Sequence, residues 1–191
     1  MIRSRASRRE ERALRDTFVH RAPYDPLTVV APRLNDAPEG RVNPVVSEVH
    51  SPEVMTEHLQ VLGASLGADL VVVLPLDDGA NRKVQDTFGS DPRAYAHAVV
   101  PAVRAHDDID AAPGLGGQFP LIKAQMLDFV LASYIRELGY PATVHYFSNQ
   151  VAATTLLGDL WSTSGHALRK LRPYAVVAGI LLTDLPLASS G

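Results

Sequence analysis

The sequence predicts a mixed α/β or α+β domain, one layer of sheet with helices on its faces. Short β-branched apolar runs carry that reading, and they alternate with segments of helical spacing. The runs are Asp69–Pro75, Tyr95–Val103 and Tyr174–Leu182. The alternation alone does not separate a parallel, Rossmann-like sheet from an antiparallel one.

The elements follow in order. Ser7–Phe18 holds good helix formers with Glu/Arg spacings suited to pairing one turn apart. Residues 22–47 carry Pro23, Pro26, Pro32, Pro38 and Pro44, and that density predicts an irregular connector that wraps the body. Val29-Val30 and Val45-Val46 are candidate edge strands within it. Ser51-Pro52-Glu53 is a helix start: a capping serine, a proline at the first position and an acid in the first turn. Apolar positions 55, 59, 62 and 66 follow at helical spacing, and Gly67 stops the helix. Asp69–Pro75 is a buried strand. Residues 77–93 are polar and contain Gly79, Gly89 and Pro92, which predicts a loop or a frayed helix. Tyr95–Val103 is a second strand that Pro101 is expected to end or bulge. Asp107–Gly117 is loop by composition. Gln118–Leu138 is the clearest helix, with residues 119, 122, 126, 129, 130 and 134 on one apolar stripe and Gly139 as its stop. Pro141–Phe147 is a strand, Gln150–Leu160 helical or turn-like, and Trp161–Gly165 a polar turn. Tyr174–Leu182 is a strand broken by Gly179. The organisation is residues 1–50 as a basic helix with a Pro-rich wrapping segment, and residues 51–191 as the core.

Composition narrows the chemistry. The chain has 191 residues, a net charge of −3 and no cysteine. Without thiolates it can hold no disulfide, no cysteine-ligated zinc and no cysteine-ligated iron–sulfur cluster. No apolar run reaches the ~20 residues of a membrane span, and no apolar signal segment opens the chain, so a cytoplasmic protein without membrane contact is expected. Residues 1–21 carry seven Arg against three acids. That basic arm is read as a solvated helix on an acidic body, not as a nucleic-acid contact. Fifteen Arg against three Lys points to a high-GC, bacterial genome.

Several segments carry candidate chemistry. Gly114-Leu-Gly-Gly117 precedes the long helix, where free amides and the helix dipole favour phosphate. It lacks the P-loop and dinucleotide patterns, and a flexible turn is the competing reading. His106-Asp-Asp-Ile-Asp110 offers metal-type donors, with His97 or His145 as partners. Adjacent residues rarely face one ion, so a solvated acidic loop and no metal are expected. His145-Tyr146 with Ser148-Asn149 follows a strand end, where ligands sit in α/β sheets. There a histidine or tyrosine serves as proton donor when its pKa is tuned; a packed tyrosine and a capping asparagine are the alternative. His166, Arg169, Lys170 and Arg172 form a cationic cluster able to neutralise an anion, or an ordinary cationic helix end. No serine stands in a nucleophile elbow.

Four segments together resemble a known core: Leu66-Gly-Ala-Asp-Leu-Val-Val-Val73, Tyr95–Val103, Tyr134-Ile-Arg-Glu-Leu-Gly-Tyr-Pro-Ala142 and Leu181-Leu-Thr-Asp-Leu-Pro-Leu187. Their order and spacing resemble the cobalamin-binding core of reductive dehalogenases, itself similar to that of epoxyqueuosine reductases, over roughly residues 52–187. The resemblance implies a nitroreductase-like α+β fold with a central, mainly antiparallel sheet flanked by helices. It also implies base-off cobalamin, a tyrosine or acid as proton donor, and electrons from clusters in a following cysteine-rich module. This chain departs in having no cysteine. Thr155-Leu-Leu-Gly-Asp-Leu-Trp-Ser162 stands where the family has a glycine-rich stretch lining the cofactor pocket. Gly158 and Leu160 match it, while Leu156 and Trp161 are expected to press into space the family keeps open.

The expectation is a dehalogenase-like enzyme without iron–sulfur clusters, acting on a small organic molecule in specialised metabolism. Tyr146 or His145 would be its acid/base, Asn149 would position substrate, and Arg172 would neutralise an anion. Gly114, Gly116, Gly117 and Gly158 are the cofactor candidates, for cobalamin, flavin or no cofactor at all. A non-catalytic corrinoid carrier, a cofactor-free enzyme and a partner subunit are the alternatives, and a homodimer is left open.

Overall fold

The computed structural model describes residues 33–89, 93–104, 115–148, 150–161 and 175–190. After a helical turn at 33–35, the elements run α1 (Pro52–Ser65), β1 (Leu70–Pro75), α2 (Asp78–Phe88), β2 (His97–Arg104), α3 (Leu115–Glu137), β3 (Ala142–Tyr146), α4 (Gln150–Trp161), β4 (Ala175–Val176) and β5 (Gly179–Thr183). The basic arm and the acidic stretch 105–114 lie outside the described residues.

Every strand pairing is antiparallel, in the order β1-β2-β5-β3, with β4 against the far end of β2. The fold is therefore α+β, and the sequence-level ambiguity with a parallel sheet is resolved. Both faces of the sheet are covered. Val71, Val73, Val99 and Leu181 turn to one face, with Met55 and Leu59 of α1 and Leu131 and Ile135 of α3. Val72, Leu74, Val100 and Leu182 turn to the other, with Val84 of α2 and Leu156, Leu157 and Leu160 of α4. Alternation along each strand produces this division. It explains why the runs are continuously apolar, as strands buried on both faces are.

The helix ends follow their sequence signals. Ser51 stands at the N-cap position of α1 with Pro52 in the first turn, although its side chain makes no cap hydrogen bond, and Gly67 and Gly139 take positive φ after α1 and α3. At Gly139, with φ +89, a Cβ would also lie 2.6 Å from the Cα of Val46, so the arm at 42–47 crosses where only glycine fits. That arm bonds to the end of α3 through the Asn43 and Ser47 amides. On the far side of the sheet, Ser190 donates its amide to the Val73 carbonyl and accepts the Val73 amide at its hydroxyl. The outer edge of β1 is thereby partly capped by the chain's own tail.

Four expectations are corrected. Residues 78–88 form a regular helix, because Asp77 caps it by accepting the Ala80 amide at 2.7 Å. Pro101 neither ends nor bulges β2; it sits opposite Val71. On its other side β2 pairs with β5 over His97–Val99 and with β4 from Val103, so the proline falls where no ladder needs its missing N–H. The apolar stripe assigned to α3 is largely its outer face. Phe119 and Met126 are exposed, at 61% and 52%. The inward face carries Ala124, Leu127, Leu131, Ala132 and Ile135 together with buried Gln125, Asp128 and Arg136. Small and polar residues on the core side hid it from a count of large apolar ones. The helix also starts earlier, at Leu115, so Gly116 and Gly117 lie in its first turn rather than in a loop.

Candidate functional site

The strand register sets Arg104, Tyr146, Ala175 and Gly179 toward one end of the sheet. Helix α3 reaches this end: Asp128 lies against Gly179, and Ala124 and Leu127 pack with Val103 and Ala178, beside Tyr146. The turns before them, with Gly116 and Gly117, extend beyond it. Tyr146, Gly116 and Gly117 therefore belong to the same end of the fold, although far apart in sequence. Gly114, Asn149 and Arg172 lie outside the described residues.

His145 and Tyr146 do not share a site. As neighbours on a strand they point to opposite faces. His145 turns to the α2 side and stacks on Phe88, with ring centroids 5.0 Å apart and planes at 21°; Phe88 in turn meets Phe147 at 5.3 Å. Tyr146 turns to the α3 side, half-buried, and its hydroxyl donates to the Gln125 carbonyl at 3.5 Å.

Around Tyr146 the α3 face is unusually polar for a core. Asp128 is fully buried, and neither carboxyl oxygen has a hydrogen-bond partner. Its Oδ2 would lie 3.0 Å from a Cβ on Gly179, so the glycine is what lets the acid approach the strand. Gln125 is buried; its Nε2 donates to Asn35 Oδ1 at 2.7 Å while its Oε1 is unpartnered. Arg136 donates to the Ala142 carbonyl at 2.8 Å.

Burial raises the Asp128 carboxyl well above the usual carboxylate range; the Gly179 amide, near the carboxyl but outside hydrogen-bonding geometry, pulls the other way. Burial also raises the Tyr146 phenol far above its ordinary value, and the neighbouring Asp128 adds to the effect. Desolvation lowers the Arg136 guanidinium, against the opposing pull of Glu39; an arginine so placed is still charged. The phenol thus keeps its proton at neutral pH and offers a hydrogen-bond donor; the shift by itself makes it a weaker acid. Asp128, Gln125 and Arg136 went unnoticed in the sequence. The available signal was an acid in the middle of an otherwise apolar helix, in Gln125-Met-Leu-Asp128-Phe.

The cofactor candidates are placed differently. Gly158 stands on the outward face of α4, where an added Cβ would meet open space. An open cleft of about 390 Å³ runs between α2 and α4, lined by Lys83, Asp86, Thr87, Thr155, Leu156 and Asp159. It is at the small end of the range for drug-sized ligands, roughly 300–1,000 Å³, and a corrinoid is a larger body than these. Leu156, Leu157 and Leu160 turn inward and pack the sheet with hydrocarbon. The cleft between α2 and α4 therefore does not fit a corrinoid. Among them no group of His, Asp or Glu is arranged to hold a metal ion, and no helix is long and apolar enough to cross a membrane.

No protein-family model and no curated protein matches the chain. Solved structures do. One is a reductive dehalogenase described for B12-dependent dehalogenation, at 21% identity and a TM-score of 0.64, over 86% of this chain and 24% of that one. Another is the catabolic reductive dehalogenase NpRdhA in complex with 3-bromo-4-hydroxybenzoic acid, at 18% identity and 0.61, with the same coverage. A nitroreductase family protein from Clostridium difficile 630 matches at 11% identity and 0.43, over 84% of this chain and 87% of that one. The chain has the fold of the dehalogenase core and spans about a quarter of the length of those dehalogenases.

Proposed function

We propose that this chain is an enzyme core of the dehalogenase fold that binds a small organic acid or phenol at the Tyr146 end of its sheet and protonates it. The observation that supports this most is the placement of the Tyr146 hydroxyl, half-buried at the end of the sheet that α3 reaches, hydrogen-bonded to the Gln125 carbonyl and close to Asp128. A proton leaves the phenol oxygen for the substrate. Arg136, close enough to act on the phenol electrostatically, favours the tyrosinate that forms. The absence of cysteine means the chain itself ligates no iron–sulfur cluster through thiolates, so a reaction that consumes electrons takes them from a separate donor. Gly116 and Gly117 stay in this proposal as candidate anion contacts, because the start of α3 lies toward the same end; Asn149 and Arg172, outside the described residues, stay candidates on their sequence alone. A homodimer is likewise a proposal, decided by a mass measurement in solution.

The likeness to B12-dependent proteins favours a second reading, a corrinoid- or flavin-binding core. The packing of Leu156, Leu157 and Leu160 speaks against it, and no step is routed through such a group.

Thermal unfolding of the wild type and Tyr146→Phe, with a panel of phenolic and carboxylic acids that includes halogenated hydroxybenzoates, tests the first reading. It is supported by an acid that raises the Tm of the wild type and loses that effect in the variant; a panel without effect on the wild type overturns it. Absorbance titration with hydroxocobalamin and FMN tests the second. A spectrum that stays with the protein through gel filtration establishes cofactor binding, and a colourless protein removes it.

A further inference from the structure

We propose that Asp128 is a buried neutral acid whose proton is shared with the Gln125 side-chain oxygen, and that it is a positioning residue for Tyr146. The second half rests on the reading of Tyr146 as proton donor; the first does not.

The geometry leads there by elimination. Three acceptor atoms are buried without a partner: both carboxyl oxygens of Asp128 and Oε1 of Gln125. Gln125 gives its Nε2 to Asn35 at 2.7 Å, which in this arrangement leaves Oε1 in need of a donor. Residues three apart on a helix lie on one face, one turn from each other, and both of these side chains are buried against the sheet. An ionised carboxylate there would be an unpaired buried charge, which the fold strongly disfavours. One proton on Asp128 removes the charge and supplies the donor that Gln125 Oε1 lacks. The second carboxyl oxygen then faces the Gly179 backbone, whose missing side chain is what permits the approach.

The consequence for Tyr146 follows from its neighbours. Gly179 pairs directly with Tyr146 across β3 and β5, and the Gln125 carbonyl accepts the Tyr146 hydroxyl. Asp128 therefore ties together the two groups that fix the phenol, and it adds no charge to the site at neutral pH. The charged and titratable groups that act on Tyr146 are Asp128 from α3, Arg136 from the end of α3, and Glu39 from the arm.

The test uses the full chain with ¹³C-labelled aspartate and tyrosine. One aspartate side-chain carbon is expected at the position of a protonated acid at pH 7, absent in Asp128→Asn, while the others are ionised. In Asp128→Asn, which cannot become an anion at alkaline pH, the Tyr146 ring carbon is expected to titrate at lower pH than in the wild type. All aspartates ionised at pH 7 in the wild type overturns the first half. An unmoved Tyr146 titration in Asp128→Asn overturns the second half while leaving the proton-donor reading of Tyr146 intact. Should Asp128→Asn not fold, the wild-type spectrum decides the first half, and Gln125→Leu decides the second: removing the acceptor is expected to move the Tyr146 titration, and no movement overturns it.

Discussion

The two faces of the sheet are built from the same strands and have opposite characters. The α2/α4 face is hydrocarbon: valines and leucines from β1, β2 and β5 meet Leu156, Leu157 and Leu160, with His145 stacked on Phe88 at the border. The α1/α3 face is apolar at its centre, but toward the Tyr146 end it buries a carboxyl, a carboxamide and a half-buried phenol. Hydrocarbon packing explains the first face completely. It does not explain the second, where an apolar residue in place of Asp128 would avoid a desolvated acid. Perturbed titratable groups gather at functional sites, and this is the ground on which the Tyr146 end is proposed as one.

The largest expected effect breaks the comparison on its hydrocarbon side. Leu74→Ala, at a fully buried position of the α2/α4 face, should cost about 2–5 kcal/mol in denaturant unfolding and leave the Tyr146 titration where it was. A shift of that titration would show the two faces to be coupled.

The next sharpens the polar side. Asp128 has a folded-state pKa above its unfolded value, so the unfolded chain releases this proton first as pH rises. Its contribution to stability is full below the ordinary carboxylate range and is lost as pH rises above it, with a slope of up to about 1.4 kcal/mol per pH unit until the folded carboxyl also ionises. Asp128→Asn should flatten that part of the stability–pH curve, read from denaturant midpoints between pH 4 and pH 8. An unchanged slope would mean that the carboxyl is ionised in the fold.

A smaller effect tests a local device of the first face. Asp77→Ala removes the cap of α2 and should cost about 1 kcal/mol in thermal or chemical unfolding, with Asp77→Asn retaining most of it.

The smallest belongs to the α1/α3 face at its far end. His97 is partly desolvated beneath the segment carrying Leu185 and Leu187, with Asp184 nearby, and burial lowers its pKa against their opposing pull. Its Nδ1 is buried without a partner. A lowered folded pKa means stability is full above the ordinary imidazole range and declines as pH falls below it. His97→Gln should remove a shallow acid-side decline, and an identical decline in the variant would assign it elsewhere.

The contrast also marks what a sequence makes legible. Strands buried on both faces announce themselves as β-branched runs, and β1, β2 and β5 fall close to where those runs place them. Ser51-Pro52 and the two stopping glycines mark the helix ends through local chemistry. The resemblance carried by the Tyr134–Ala142 and Leu181–Leu187 segments agrees with the dehalogenase fold found among solved structures. What was not legible depends on packing between distant segments. The inward face of α3 could not be told from its outward face, because Ala124, Ala132, Gln125 and Asp128 dilute the core side while Phe119 and Met126 advertise the wrong one. The proximity of Asp128 to Tyr146 is set by the β3–β5 register and by Gly179, 51 positions further along the chain, and no local pattern encodes it. Tyr146 was nameable from its place at a strand end, whereas the separation of His145 from it required only the alternation of a strand.

The central claim is that the Tyr146 phenol is kept protonated by its surroundings. The ¹³C ring-carbon resonances of the six tyrosines, followed from pH 8 upward in the wild type and in Tyr146→Phe, test it most directly. The resonance missing from Tyr146→Phe should be the last to titrate while the fold persists. If that resonance titrates with the exposed tyrosines or before them, the phenol is an ordinary or an easily ionised one, and the claim that its surroundings hold the proton on it is wrong.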